Sequence, residues 1–311
     1  MVALALSPAP ALAGICHSKN LMPAFFAFEA RTRNLPPKLR ADRFAKEFAA
    51  AYPEFYEDKD VDWPAQIPEN ALRLLDPVRP EAMAGFPAFS QARFQAVADT
   101  IGRDFDAAQA KFITTFPDFT CEAEIEFGPS FLRFDGHAKT DASGRFHMLF
   151  GVDAMALEHG PEDMPIVFAH ELFHIYHRQL MGTRALALGN VTWWAMWEEG
   201  LATYVSQRLN PGSDAQQVLS FPKDMVRRMQ GPGATPRAAK LLLAGLDTSN
   251  GRLFDTARSV SGLPPRAGYY MGYLLARDLG RNQDLHWLAH LPPDQVKHHA
   301  REFLAMQAKA R

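Results

Sequence analysis

The stretch PIVFAHELFHIYHRQLM, Pro165 to Met181, decides how the rest of this 311-residue chain is read. It is apolar on most sides of a helix, the texture of a buried helix. Glu162 and Asp163 suit the positive end of that helix, Pro165 its first turn and Gly182 its C-terminal stop. Inside it, His170-Glu171-Leu172-Phe173-His174 sets two histidines four residues apart. At 3.6 residues per turn they stand one above the other, so their imidazoles can converge on one metal ion. Glu171 is rotated by about 100° from His170. That puts it beside the metal, where a general base for a bound water belongs. The bland alternative is a helix carrying two surface histidines. Leu172, Phe173, Ile175 and Tyr176 weaken it, because buried histidines need partners and a metal supplies one.

Two nitrogens do not complete a catalytic zinc site, which needs a third protein ligand and one open position. His177 is one candidate, but the extended pattern H-E-x-x-H-x-x-G-x-x-H fails, since position 177 is His and position 180 is Leu. A better candidate is WWAMWEEGLA, Trp193 to Ala202. Thr192 is a fair N-cap for a helix that runs to about Leu209, before Asn210-Pro211-Gly212 ends it. Gly200 inside that helix costs about 1 kcal/mol relative to Ala, and is expected where another helix must approach closely. Glu198 and Glu199 on a Trp-lined helix are expensive to bury unless they meet a cation.

Composition narrows the chemistry. The chain is 47% hydrophobic and 22% charged, ordinary for a globular protein, and its formal charge of -2 argues against a nucleic-acid partner. Two cysteines, Cys16 and Cys121, exclude a disulfide framework and any thiolate-rich metal site, and leave their mutual pairing open. No run reaches the ~18–20 uncharged apolar residues that span a bilayer. Residues 1–19 form a separate segment, uncharged from Val2 to Ile15, with the small-x-small run Ala11-Leu12-Ala13-Gly14. It reads either as a signal peptide lacking its basic start, giving a periplasmic or secreted protein, or as a disordered tail on a cytoplasmic one.

Residues 20–115 read as a helical N-terminal region. Phe44, Phe48, Tyr52 and Phe55 trace one face, and Phe94, Val97, Ile101, Phe105, Ala108 and Phe112 another, both expected as core. Pro36-Pro37, Trp63-Pro64 and Pro77 to Pro80 mark turns there. Residues 116–311, which carry both motifs, are expected to form the catalytic region, with a helical C-terminal part. Cys121–Phe127, Phe131–Phe134 and Arg145–Val152 read as three short strands of a small antiparallel sheet ahead of the helix pair, giving a mostly helical α+β fold. CEAEIEF alternates, with Cys121, Ala123, Ile125 and Phe127 on one side and Glu122, Glu124 and Glu126 on the other. His286, His290, His298 and His299 crowd the C-terminal helices. A second metal site is conceivable there, and a solvated basic face is the favoured reading.

His170-Glu171-x-x-His174 followed by Trp-x-Glu-Gly-x-Ala resembles the gluzincin metallopeptidases, closest to the small proteins called predicted zinc-dependent proteases. The likeness covers roughly Arg145 to Leu279 and leaves the N-terminal region unmatched. It implies a zincin-like catalytic fold and one zinc ion per chain, held by His170, His174 and Glu199, with Glu198 as neighbour. It further implies hydrolysis of a peptide or protein substrate, with Glu171 moving the proton. By the same resemblance, Tyr-x-x-Gly within Gly268-Tyr269-Tyr270-Met271-Gly272 selects Tyr269 as oxyanion donor, Tyr270 being the fallback. The strand Phe146 to Asp153 would be the edge that receives substrate backbone, with Gly151 allowing close approach or forming a bulge. Thr203 is either a partner of a ligand or an ordinary helix residue. The signature Gly-x-Met-Glu-Asn is absent, so exopeptidase action is not implied. The alternative of another class is a metal-binding, peptide-recognising or latent protein on the same scaffold, without efficient turnover.

Overall fold

The computed structural model describes residues 14–57, 67, 68, 71, 75, 89–182, 184, 188, 189, 191–220, 222–249, 251–255 and 258–310. The expected turns at Trp63-Pro64 and Pro77 to Pro80, and residues 1–13 of the leader or tail, lie outside these. Strand β1 (Ser18–Asn20) is followed by α1 (Met22–Thr32), α2 (Pro37–Arg43) and a short α3 (Pro53–Tyr56). The long α4 (Gln91–Thr115) leads to β2 (Ala123–Gly128), β3 (Gly136–Thr140) and β4 (Phe146–Gly151). Then come α5 (Val152–Glu158), α6 (Met164–Met181), α7 (Thr192–Leu209), α8 (Ala215–Leu219), α9 (Met225–Met229) and α10 (Ala234–Ala244). The last elements are α11 (Ala267–Leu279), α12 (Leu285–Ala289) and α13 (Pro293–Gln307).

The aromatic stripes are core, as expected. Phe94, Val97, Ile101, Phe105 and Phe112 of α4 are buried together. Phe105 meets Phe168 of α6 at 5.3 Å between ring centroids, and Phe168 meets Phe150 of β4 at 5.4 Å. One aromatic cluster thus fastens α4 and α6 to the same face of the sheet. The stripe from Phe44 to Phe55 is also inward, though not on one continuous helix. A π-turn over Phe44–Phe48 and a 3-10 turn over Ala49–Ala51 break it, and Pro53 starts α3 afresh.

The sheet corrects the antiparallel expectation. Its order is β1-β2-β4-β3, with β1–β2 and β2–β4 parallel and only β3–β4 antiparallel. The strand expected at Phe131–Phe134 is a turn instead, with Phe131 and Leu132 in the left-handed region at φ 62° and 60°. Buried Asp153 holds that turn by accepting hydrogen bonds from the backbone N–H of Ser130 and of Leu132, both at 2.6 Å. The next residues form the real strand, β3, which takes one edge of the sheet, β1 taking the other. Strand β4 is consequently paired on both sides and cannot be the edge that receives substrate. Gly151 has a plainer reason than either reading offered. A Cβ there would come within 2.0 Å of the Phe134 carbonyl oxygen, so glycine lets the 130–134 turn pack on the strand.

Cys16 and Cys121 are disulfide-bonded, joining the chain just before β1 to the chain just before β2. Residues 14–19 are therefore part of the fold. Glu126, on the glutamate side of the β2 alternation, sits opposite Lys19 in register and is nevertheless only 5% exposed. Burial and the neighbouring Glu54 carboxylate push its carboxyl up to about 7, against the pull of Lys19 and Lys139. A carboxyl raised on folding binds more protons in the native chain between its ordinary range and about 7, so it weakens the fold as pH rises through that window. Glu126→Gln should therefore be close to neutral near pH 4 and more stable than the parent at pH 8. At about 1.4 kcal/mol per pKa unit the gap is on the order of 3 kcal/mol. Urea unfolding at both pH values measures this, and an equal gap at the two would count against it.

Candidate metal centre

Helix α6 presents His170, Glu171 and His174 on its only partly exposed stripe, while Phe168, Leu172, Phe173 and Tyr176 fill the core behind them. Helix α7 brings Glu199 to the same point. The Nε2 atoms of His170 and His174 lie 3.0 Å apart, and Glu199 Oε2 is 3.3 Å from the first and 3.5 Å from the second. Bonds of about 2.0–2.1 Å at tetrahedral angles separate neighbouring ligand atoms by about 3.3 Å, so this donor set fits a zinc-like ion. The charges agree with the geometry. Burial works against charge on both partners, yet the Glu199 and Glu171 carboxylates push His174 up to about 10, and the imidazoles hold Glu199 well below the usual carboxylate range. A trio that keeps a proton so tenaciously is one in which a cation is favoured.

The placement of Glu199 rests on a helix crossing. A Cβ on Gly200 would lie 2.1 Å from the carbonyl carbon of Gly272, and one on Gly272 would lie 1.9 Å from the Met196 carbonyl oxygen. Helices α7 and α11 therefore touch backbone to backbone, which bears out the close approach expected at Gly200. Tyr269, one turn before Gly272, lies within the field of the Glu199 carboxylate, next to Gly200. Tyr270 turns away toward Gln230, so of the two tyrosines it is Tyr269 that faces the centre. Burial and the Glu199 carboxylate raise the Tyr269 phenol, which stays protonated across the physiological range.

Glu171 stands beside the trio. Burial raises its carboxyl above the usual range, opposed by the two imidazoles and assisted by Asp135 and Glu199. The first residue of β3 lies against it, since a Cβ on Gly136 would be 3.0 Å from Glu171 Oε1. Glu198 is likewise raised by burial, and its charge acts on His174 without joining the trio. Thr203 is an ordinary helix residue: its hydroxyl donates to the Glu199 backbone carbonyl at 2.8 Å, not to a ligand atom. Thr192 begins α7 as its first helical residue and gives its hydroxyl to the Thr248 carbonyl, so it is not the cap.

Other groups around the centre carry no sequence spacing. Arg266 sits at left-handed φ 59° ahead of α11, its guanidinium 4.1 Å from the Tyr269 ring centroid, within the field of Asp135, Glu199 and Glu158. Asp135 pairs with His159 at 3.2 Å. Asp135, Glu158, His159 and Arg266 come from three separate places in the chain, and only the positive φ of a non-glycine residue singles Arg266 out. His177, the rejected ligand candidate, is buried away from the centre. It is stacked between Phe173 and Trp194 at 5.4 and 5.1 Å, and neither ring nitrogen has a hydrogen-bond partner.

In comparisons with known proteins, no family model, no curated protein and no solved structure matches the chain.

Two outcomes test this packing. Gly200→Ala must part α7 from α11 and is expected to lower stability by about 3 kcal/mol or more, at the upper end of overpacking costs. It should also weaken metal binding, read by unfolding and by metal titration. His177→Phe removes two unpartnered nitrogens and is expected to stabilise by about 1 kcal/mol. Burial holds the His177 ring down to about 3. The unfolded chain thus takes up the proton first as pH falls below its ordinary value, and the gain should widen from pH 8 to pH 5.

Proposed function

We propose that this chain is a zinc-dependent metallopeptidase. The convergence of His170 Nε2, His174 Nε2 and Glu199 Oε2 within 3.0–3.5 Å of one another, with Glu171 adjoining, carries the reading. The side chains of the three donors keep 14%, 19% and 25% of their surface exposed, so the centre is reachable from solvent. Bound there, zinc would lower the pKa of a water toward about 7 and polarise a carbonyl.

The chain's own residues account for the proton traffic. Glu171 takes the proton of the attacking water and passes it to the leaving amine. Its raised proton affinity suits a group that serves first as base and then as acid. Tyr269 retains its phenolic proton and is the donor for the oxygen on which negative charge develops. Arg266 over its ring favours that developing charge.

A peptide is the favoured substrate because β3 is an edge strand whose first residue, Gly136, adjoins Glu171. An extended backbone added along β3 would bring its carbonyl carbon to the base, the recognition mode called strand addition. The docking strand is thus β3, in place of β4. The Cys16–Cys121 bond supports an oxidising compartment, periplasmic or extracellular.

Glu171→Gln should retain metal at the parent's level by elemental analysis and lose at least about 100-fold in kcat on a mixed peptide library. Tyr269→Phe should lose about 10²–10³-fold with metal unchanged. Undiminished cleavage by Glu171→Gln would overturn the assignment. A parent chain that binds metal and peptide without cleaving would instead favour a recognition protein on this scaffold.

A further inference from the structure

Asp118 lies in the turn after α4, and α12 with its C-cap brings His286 and His290 to it. Asp118 Oδ2 is 3.5 Å from His286 Nε2 and 3.6 Å from His290 Nε2. Those separations are too long for hydrogen bonds and match the spacing of donor atoms around one ion. The two rings lie 4.0 Å apart, inclined by 30°, and one donor atom from each of the three residues falls within 4.8 Å of the others.

The tautomer of His290 is fixed by its other nitrogen. Nδ1 lies 2.8 Å from the His286 carbonyl oxygen, which can only accept, so Nδ1 carries the proton. In the neutral ring the lone pair is then on Nε2, the atom turned toward Asp118. Asp118 is held in turn from α6. The Tyr176 hydroxyl donates to its carboxylate at 2.8 Å, and Gln179 Nε2 donates to its backbone carbonyl at 2.8 Å. Supporting bonds of this kind orient ligands in metal sites. The three side chains are 40–50% exposed, which leaves further coordination positions to water.

We propose that Asp118, His286 and His290 form a second metal site, for a first-row transition ion of the zinc type, that ties α12 to the turn after α4. Two imidazoles with one carboxylate select such an ion over calcium or magnesium. The site is built from residues outside the His170 centre, and it stands or falls apart from the peptidase reading.

Zn²⁺ titration of the chelator-stripped full chain tests it, in the parent and in a His286→Ala/His290→Ala variant whose exposed side chains can be removed without opening the core. The parent should show one binding event more than the variant, tighter than about 10 µM. Tyr176→Phe should keep that event and weaken it by about 10–100-fold. His170→Ala should leave it intact while abolishing the other event, which separates failure of this site from failure of the first. Equal stoichiometry and affinity in parent and double variant would overturn the proposal, as would an extra event weaker than about 100 µM.

Discussion

The contact between Gly200 and Gly272 is the constraint on which the centre depends. Neither position has room for even a methyl group, so α7 and α11 are pressed together at a distance that only paired glycines permit. The residue before Gly200 is a donor to the candidate ion, and the residue three before Gly272 is the phenol within that donor's field. One crossing therefore sets the separation of two functional groups that lie seventy positions apart in the chain. It does so with backbone, the least adjustable material available. Side-chain packing tolerates volume-conserving exchange, whereas a backbone contact does not.

Around that crossing the protein concentrates charge in a largely apolar interior. Glu171, Glu198, Glu199 and Asp135 confront His170, His174, His159 and Arg266. Buried carboxylates of this number are unfavourable unless each is matched, and the pairing is incomplete without a further positive charge. The raised proton affinity of His174 and the lowered one of Glu199 are two faces of that imbalance. A divalent ion resolves it more fully than a proton, because it draws on three donors at once.

How much of this was legible follows from the range of the interactions. The pairing of His170 with His174 on one buried helix could be read because its information is local: two histidines at i and i+4, a carboxylate between them and apolar residues behind. Gly200 was legible for a similar reason, since a glycine inside a good helix asks for an explanation. The aromatic faces were legible as periodicity. The sheet was not, because pairing partners are distant and strand alternation is imitated by other things. Phe131 and Leu132 look like a strand, yet they form a left-handed turn made tolerable by Asp153, twenty-one residues away from Leu132. Glu126 alternates with the other glutamates on paper, yet it is buried in a strand that pairs with β1 from the far end of the region. Arg266 and Asp135 carry no pattern at all, and only the folded chain brings them to the centre.

The disulfide has a consequence for how this chain behaves once cut. Cys16 and Cys121 close the intervening residues into a covalent ring anchored on two neighbouring parallel strands. A single break in the backbone anywhere between them opens the ring without releasing either piece. Shedding the N-terminal region takes a reductant as well as a cut, so a nicked molecule keeps β1 beside β2 and still migrates as one until it is reduced.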